Sequence, residues 1–107
     1  MRVEVLYVAE CPSHGAAVQL LQDVLAAEGV AAEIREVLVT DDGMAKELRF
    51  CGSPTIRIDG RDIAPDSERE HNFAIGCRLY RGSRQVGVPP LGMIQRAVRE
   101  ARQGDER

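Results

Sequence analysis

The sequence predicts an α/β fold built in the order βαβαββα, a single domain with a four-stranded mixed sheet and helices on both faces. Three observations predict it. Residues 2–9 set Leu6, Tyr7 and Val8 side by side, apolar on both faces, as a strand covered on both sides requires. Directly after them Ala17, Leu20, Leu21, Val24 and Leu25 recur at the spacing of one helical face, with Gln19, Gln22 and Asp23 elsewhere. Strand-like and helix-like stretches then go on alternating, so the first three elements read as a βαβ unit whose crossover makes its two strands parallel.

The elements follow in order. The opening strand belongs in the middle of the sheet, and the helix after it spans 12–28, with Gly29 placed to cap its end. Residues 32–39 alternate Ile34, Val37, Leu38 and Val39 with Arg35 and Glu36, a weaker strand suited to an edge. Thr40 or Asp41 can cap a short helix running to about Phe50 and closed by Gly52. A strand led by Pro54 turns Ile56 and Ile58 inward and ends at the turn signal Asp59-Gly60. A return strand can start at Arg61, but 64–76 are polar and lack a period, so they read as a long loop, and the fourth strand falls at 77–81. After Gly87-Val88-Pro89-Pro90 a last helix carries Leu91, Ile94, Ala97, Val98 and Ala101 on one stripe, and 103–107 read as a frayed tail.

The 107 residues are enough for one core, and 44% hydrophobic with 29% charged is ordinary globular composition. The formal charge of −3 and the scatter of the basic residues argue against nucleic acid or an anionic membrane as partners. Arg57, Arg61, Arg78, Arg81 and Arg84 alternate with Asp59, Asp62 and Glu68, the pattern of a solvated mixed-charge surface, and His71 reads as a surface residue. No stretch approaches the ~20 apolar residues of a membrane span, and no signal-peptide pattern precedes the first strand. The expected location is cytoplasmic. Three cysteines, an odd number, make no disulfide framework in that setting and point to reduced thiols.

Function is concentrated where the first strand meets its helix, at Cys11-Pro12-Ser13-His14. Pro12 lacks an N–H and has a preset φ, which suits the first helical position and leaves Cys11 as N-cap. The amides of the helix end would then favour a thiolate at Cys11. His14, in the same first turn, is placed to donate a hydrogen bond to the sulfur or to carry its proton. The plainer alternatives are a small buried hydrophobe at Cys11 and a solvated surface residue at His14.

The element order, Cys11-Pro12-Ser13-His14 and Gly52-Ser53-Pro54-Thr55 together resemble the thioredoxin-like family across nearly the whole chain. The resemblance implies that Pro54 is cis and packs beside the active cysteine, so that Pro12, Ser53, Pro54 and Thr55 become substrate-positioning residues. Thioredoxins carry Cys-x-x-Cys, whereas here His14 stands in place of the second thiol, so no resolving cysteine lies within the motif. The Cys-Pro opening looks more like glutaredoxins, some of which use only the first cysteine. The pattern with Gly52-Ser53-Pro54-Thr55-Ile56 and Cys77-Arg78-Leu79-Tyr80-Arg81 is also similar to short bacterial thioredoxin-like proteins loosely labelled as related to alkylmercury lyases.

The leading expectation is therefore a thiol redox protein needing no cofactor, in which Cys11 attacks a disulfide or a peroxide and the adduct is resolved by Cys77, Cys51 or an external thiol. Its partner is a thiol or disulfide, in a protein or a small molecule. Two alternatives stand beside it. Cys11, Cys51 and Cys77 could bind a soft metal or an organomercurial, with His14, Asp62 or His71 as proton donor, although no Cys-x-x-Cys spacing is present. Alternatively the chain is a redox-inactive adaptor that keeps the fold alone.

Overall fold

The structure, a computed structural model, describes residues 1–64, 76, 78, 80 and 87–105, the last two by backbone alone. Its elements are β1 (Val3–Tyr7), α1 (His14–Ala27), β2 (Ile34–Leu38), α2 (Asp42–Leu48), β3 (Thr55–Ile58), β4 (Arg61–Asp62) and α3 (Leu91–Asp105). They form one four-stranded sheet in the order β2-β1-β3-β4. β1 is parallel to β2, with Val3 opposite Ile34 and Tyr7 opposite Leu38, and antiparallel to β3, with Val3 opposite Ile58 and Leu6 opposite Thr55. The fold is thus α/β with an open mixed sheet, β1 inside it and β2 at an edge.

Alternation along β1 divides the core, because successive side chains leave a strand on opposite faces. Val3 and Val5 join Ile56 and Ile58 beneath Ala17, Leu21, Val24 and Leu25 of α1 and Ile94 and Val98 of α3. Leu6, on the other face, packs with Val39, Ala45 and the fully buried Phe50. Helices α1 and α3 therefore cover one face and α2 the other.

Four boundaries differ from the sequence reading, each for a local reason. The helix expected from Pro12 with Cys11 as its N-cap starts at His14 with Ser13 as N-cap, so Cys11 stands two residues ahead of the cap. Before it the His14 amide donates to the Cys11 carbonyl at 3.3 Å, closing a four-residue turn in which Pro12 takes the second position. A preset φ near −65° serves that turn position as well as the first position of a helix. Helix α2, expected to run to about Phe50 and to close at Gly52, stops at Leu48, where Arg49 at φ +53° takes the left-handed C-cap position. The Arg57 guanidinium donates to the Leu48 and Arg49 carbonyls, satisfying groups a helix end leaves open.

The fourth strand is the return strand at Arg61–Asp62, with Arg57 opposite Asp62 across the hairpin. Of the stretch expected as that strand, Arg78 and Tyr80 lie in no strand, while 77, 79 and 81 are outside the described residues, as is 65–75 of the expected loop. Finally, α3 continues to Asp105, past the 103 at which fraying was expected. Two ties fix its later turns: Arg99 Nε lies 2.7 Å from Glu28 Oε1, and Arg102 Nη1 donates to the Glu28 carbonyl at 2.6 Å. Beside Arg99 the Glu28 carboxyl is held below its ordinary range, chiefly by that hydrogen bond.

Candidate functional site around Cys11

Cys11 lies just beyond the carboxyl end of β1, half-buried, with a free thiol. Ligand sites of open α/β sheets gather at that end of the strands. Its amide donates to the Val8 carbonyl at 3.3 Å, so the chain leaves the strand through a tight bend. The bend is anchored from below, where the Val8 amide donates to Ser53 Oγ at 3.1 Å. Ser53 is buried, and the Ser53–Pro54 peptide bond is cis.

A third segment closes on the same place. Gly87, at φ +81°, packs so tightly that a Cβ there would stand 2.8 Å from Ser13 Cβ and 3.7 Å from Pro54 Cδ. Only glycine allows that approach, because it combines a left-handed backbone with the absence of a side chain. The turn of Cys11, the cis Pro54 segment and the entry to α3 thus meet at Ser13, Pro54 and Gly87.

His14 is oriented elsewhere than the sequence suggested. Its ring stacks on Tyr7 with centroids 3.8 Å apart and planes 10° from parallel. Its solvent-shielded Nε2 lies 2.6 Å from Glu36 Oε1, off the direction of a ring N–H, so this is an electrostatic contact and not a formed hydrogen bond. These contacts tie the start of α1 to β1 and β2. The hydrogen bond expected from His14 to the sulfur is not among its contacts.

Thr55 is fully buried, its hydroxyl donating to the Gly52 carbonyl at 2.6 Å, which holds the segment. Cys51, half-buried, donates its thiol to the Arg49 carbonyl at 3.5 Å. It stands two residues before Ser53. Cys77 and His71 lie outside the described residues, and with Cys77 so does the expected set Cys11, Cys51 and Cys77. Among the described residues no cluster of three histidine, cysteine or acidic side chains is arranged to hold a metal ion.

Sequence reasoning gave Asp62 and Arg78 other roles, Asp62 as a candidate proton donor and both as a solvated surface, and it missed that they meet each other and Tyr80 beside the Ser53-Pro54 segment. Arg78 is 7% exposed, where a solvated surface was expected. Its guanidinium meets Asp62 through two hydrogen bonds, of 2.7 and 3.1 Å, and reaches Thr55 Oγ1 at 3.3 Å. It also lies 4.6 Å from the centre of the Tyr80 ring. The Tyr80 hydroxyl donates to the Pro54 carbonyl. Burial disfavours the Arg78 charge, but the Asp62 hydrogen bonds and the fields of Tyr80, Asp62 and Cys51 outweigh it, so its proton is held more tightly than usual. Burial also lifts Tyr80 well above the ordinary tyrosine range, against the pull of Arg78. No short-range sequence signal marks this group, because Asp62 and Arg78 stand 16 residues apart and belong to no common periodic element.

Fold and site define an α/β chain with a free thiol at the carboxyl end of its inner parallel strand. Set against known protein families, curated proteins and solved structures, the chain matches none. No helix among the described residues is long and apolar enough to cross a membrane.

Proposed function

We propose that the chain is a thioredoxin-like thiol redox protein in which Cys11 is the nucleophile of thiol–disulfide exchange, on a disulfide of a protein or a small molecule. One observation carries the reading: a half-buried, free Cys11 on a bend anchored, through Val8 and Ser53, to the Ser53-Pro54 segment that the Tyr80 hydroxyl also holds. The element order βαβαββα supports it too. Cys11 is only half-buried, whereas a cysteine that serves packing alone is typically among the most buried residues.

The chemistry is a two-step exchange. The Cys11 thiolate attacks one sulfur of the substrate disulfide; a bond forms between them, and the other substrate sulfur leaves as a thiolate. A second thiol, from Cys51, Cys77 or an external donor, attacks the Cys11 sulfur and releases the first substrate sulfur as a thiolate. The substrate has gained two electrons and the attacking thiol pair has lost them.

Hydroxyethyl disulfide, followed by peptide mass spectrometry, tests this. The mixed disulfide is expected first on the Cys11 peptide, at least about tenfold faster than on the same chain unfolded in urea. Cys11→Ser is expected to abolish the reduction. Equal rates for folded and unfolded chain, or first modification at Cys51 or Cys77, would sink the proposal.

A further inference from the structure

Asp62, Arg78 and Tyr80 form a buried polar group beside the site. Together with residues of the site it makes an unbroken run of contacts. Asp62 holds Arg78; Arg78 lies against the Tyr80 ring and on Thr55; the Tyr80 hydroxyl holds the Pro54 carbonyl. From there Ser53 Oγ holds the Val8 amide, and the Val8 carbonyl holds the amide of Cys11. Arg78 is fixed at its backbone as well, its amide donating to the Ser53 carbonyl at 3.0 Å, and the Arg78 Cβ would lie 3.0 Å from a Cβ built on Gly52.

We infer that Arg78 and Tyr80 are positioning residues for Cys11, holding the Ser53-Pro54 segment so that the bend carrying the sulfur keeps one geometry. The inference rests on the proposed reactivity of Cys11 and adds how that reactivity is directed. Both disulfide attack and alkylation are in-line displacements, but the disulfide brings two arms that must clear the bend carrying the sulfur, whereas iodoacetamide brings one. A residue that fixes that bend therefore moves the first rate more than the second. Burial of a charged pair alone would require neither the hydroxyl of Tyr80 on Pro54 nor the approach of Arg78 to Gly52.

The variant of choice is Tyr80→Phe, which keeps the ring and removes the hydroxyl with its bond to Pro54. It is expected to slow mixed-disulfide formation between Cys11 and hydroxyethyl disulfide about tenfold, while alkylation of Cys11 by iodoacetamide changes less than about twofold. Hydrogen exchange supplies a readout independent of Cys11 chemistry: the Val8 and Cys11 amides are expected to lose protection in the variant while the Leu21 amide keeps it. Arg78→Lys is expected to retain more of the disulfide rate than Arg78→Met, since it preserves a charge for Asp62.

Unchanged exchange at Val8 together with an unchanged disulfide rate would overturn the inference and leave Cys11 reactivity standing. Equal losses in both chemical rates would overturn it too, because a general loosening and not a directional role would then be responsible. An unmodified protein whose Cys11 reacts no faster than in the unfolded chain would instead overturn the reactivity, and this inference with it.

Discussion

Gly87 shows how much a single position can carry at the residue scale. The space that a Cβ would need is filled by the Ser13 side chain, whose Oγ would lie 2.5 Å from it. Gly87→Ala is therefore expected to destabilise the protein by about 1–3 kcal/mol, through overlap and through an alanine forced to positive φ. Combining it with Ser13→Gly separates the two causes. The pair should cost less than the sum of the single changes, as measured by urea unfolding, because removing the Ser13 side chain relieves the overlap and leaves only the backbone penalty. Strict additivity would mean that the contact between the two segments carries no weight. Nothing in Gly87-Val88-Pro89-Pro90 announces this contact in sequence, where the glycine reads only as the approach to a helix.

Elements were legible where their pattern is long. The central strand, the edge strand and the α1 and α3 stripes follow from periodicity, and Asp41, one of two caps considered for α2, does cap it by accepting from the Met44 amide at 2.8 Å. Asp41→Ala is expected to cost about 1 kcal/mol, read as a shift in the unfolding midpoint, with Asp41→Asn close to neutral. A loss as large for asparagine would point to charge and not to the hydrogen bond. Where elements are short or their boundary residues ambiguous, the pattern fails. β4 has two residues, too few for any alternation, and Pro12 is equally at home in a turn or in a first helical position. The local motifs around Cys11 and around Ser53 and Pro54 could be picked out in sequence, whereas Asp62, Arg78, Tyr80 and Gly87, which pack around the Ser53-Pro54 segment, are brought near only by the folded chain.

At the scale of the whole molecule, stability should depend on pH through Tyr80. Its proton is held in the folded state well above the ordinary tyrosine range, so the stabilisation is complete below about pH 10, where unfolded tyrosine is also neutral. Above that pH the unfolded chain gives up the proton and the folded chain does not. Stability then falls by about 1.4 kcal/mol per pH unit from this one group. Tyr80→Phe lacks that slope, and its deficit relative to the unmodified protein should shrink between pH 9 and 11 in urea titrations, by about that amount per unit once pH exceeds 10. Parallel curves across that range would show that Tyr80 ionises as readily folded as unfolded.

The shared core of β1 and α3 has a bearing on how such a chain is made. Val3 and Val5 are covered partly by Ile94 and Val98, residues some ninety positions later in synthesis. While a ribosome is still adding the middle of the chain, that inner face of the first strand has only the first helix over it. Final closure of the core must wait for translation to deliver the last helix, and until then the nascent polypeptide presents an oily surface to whatever chaperones attend it.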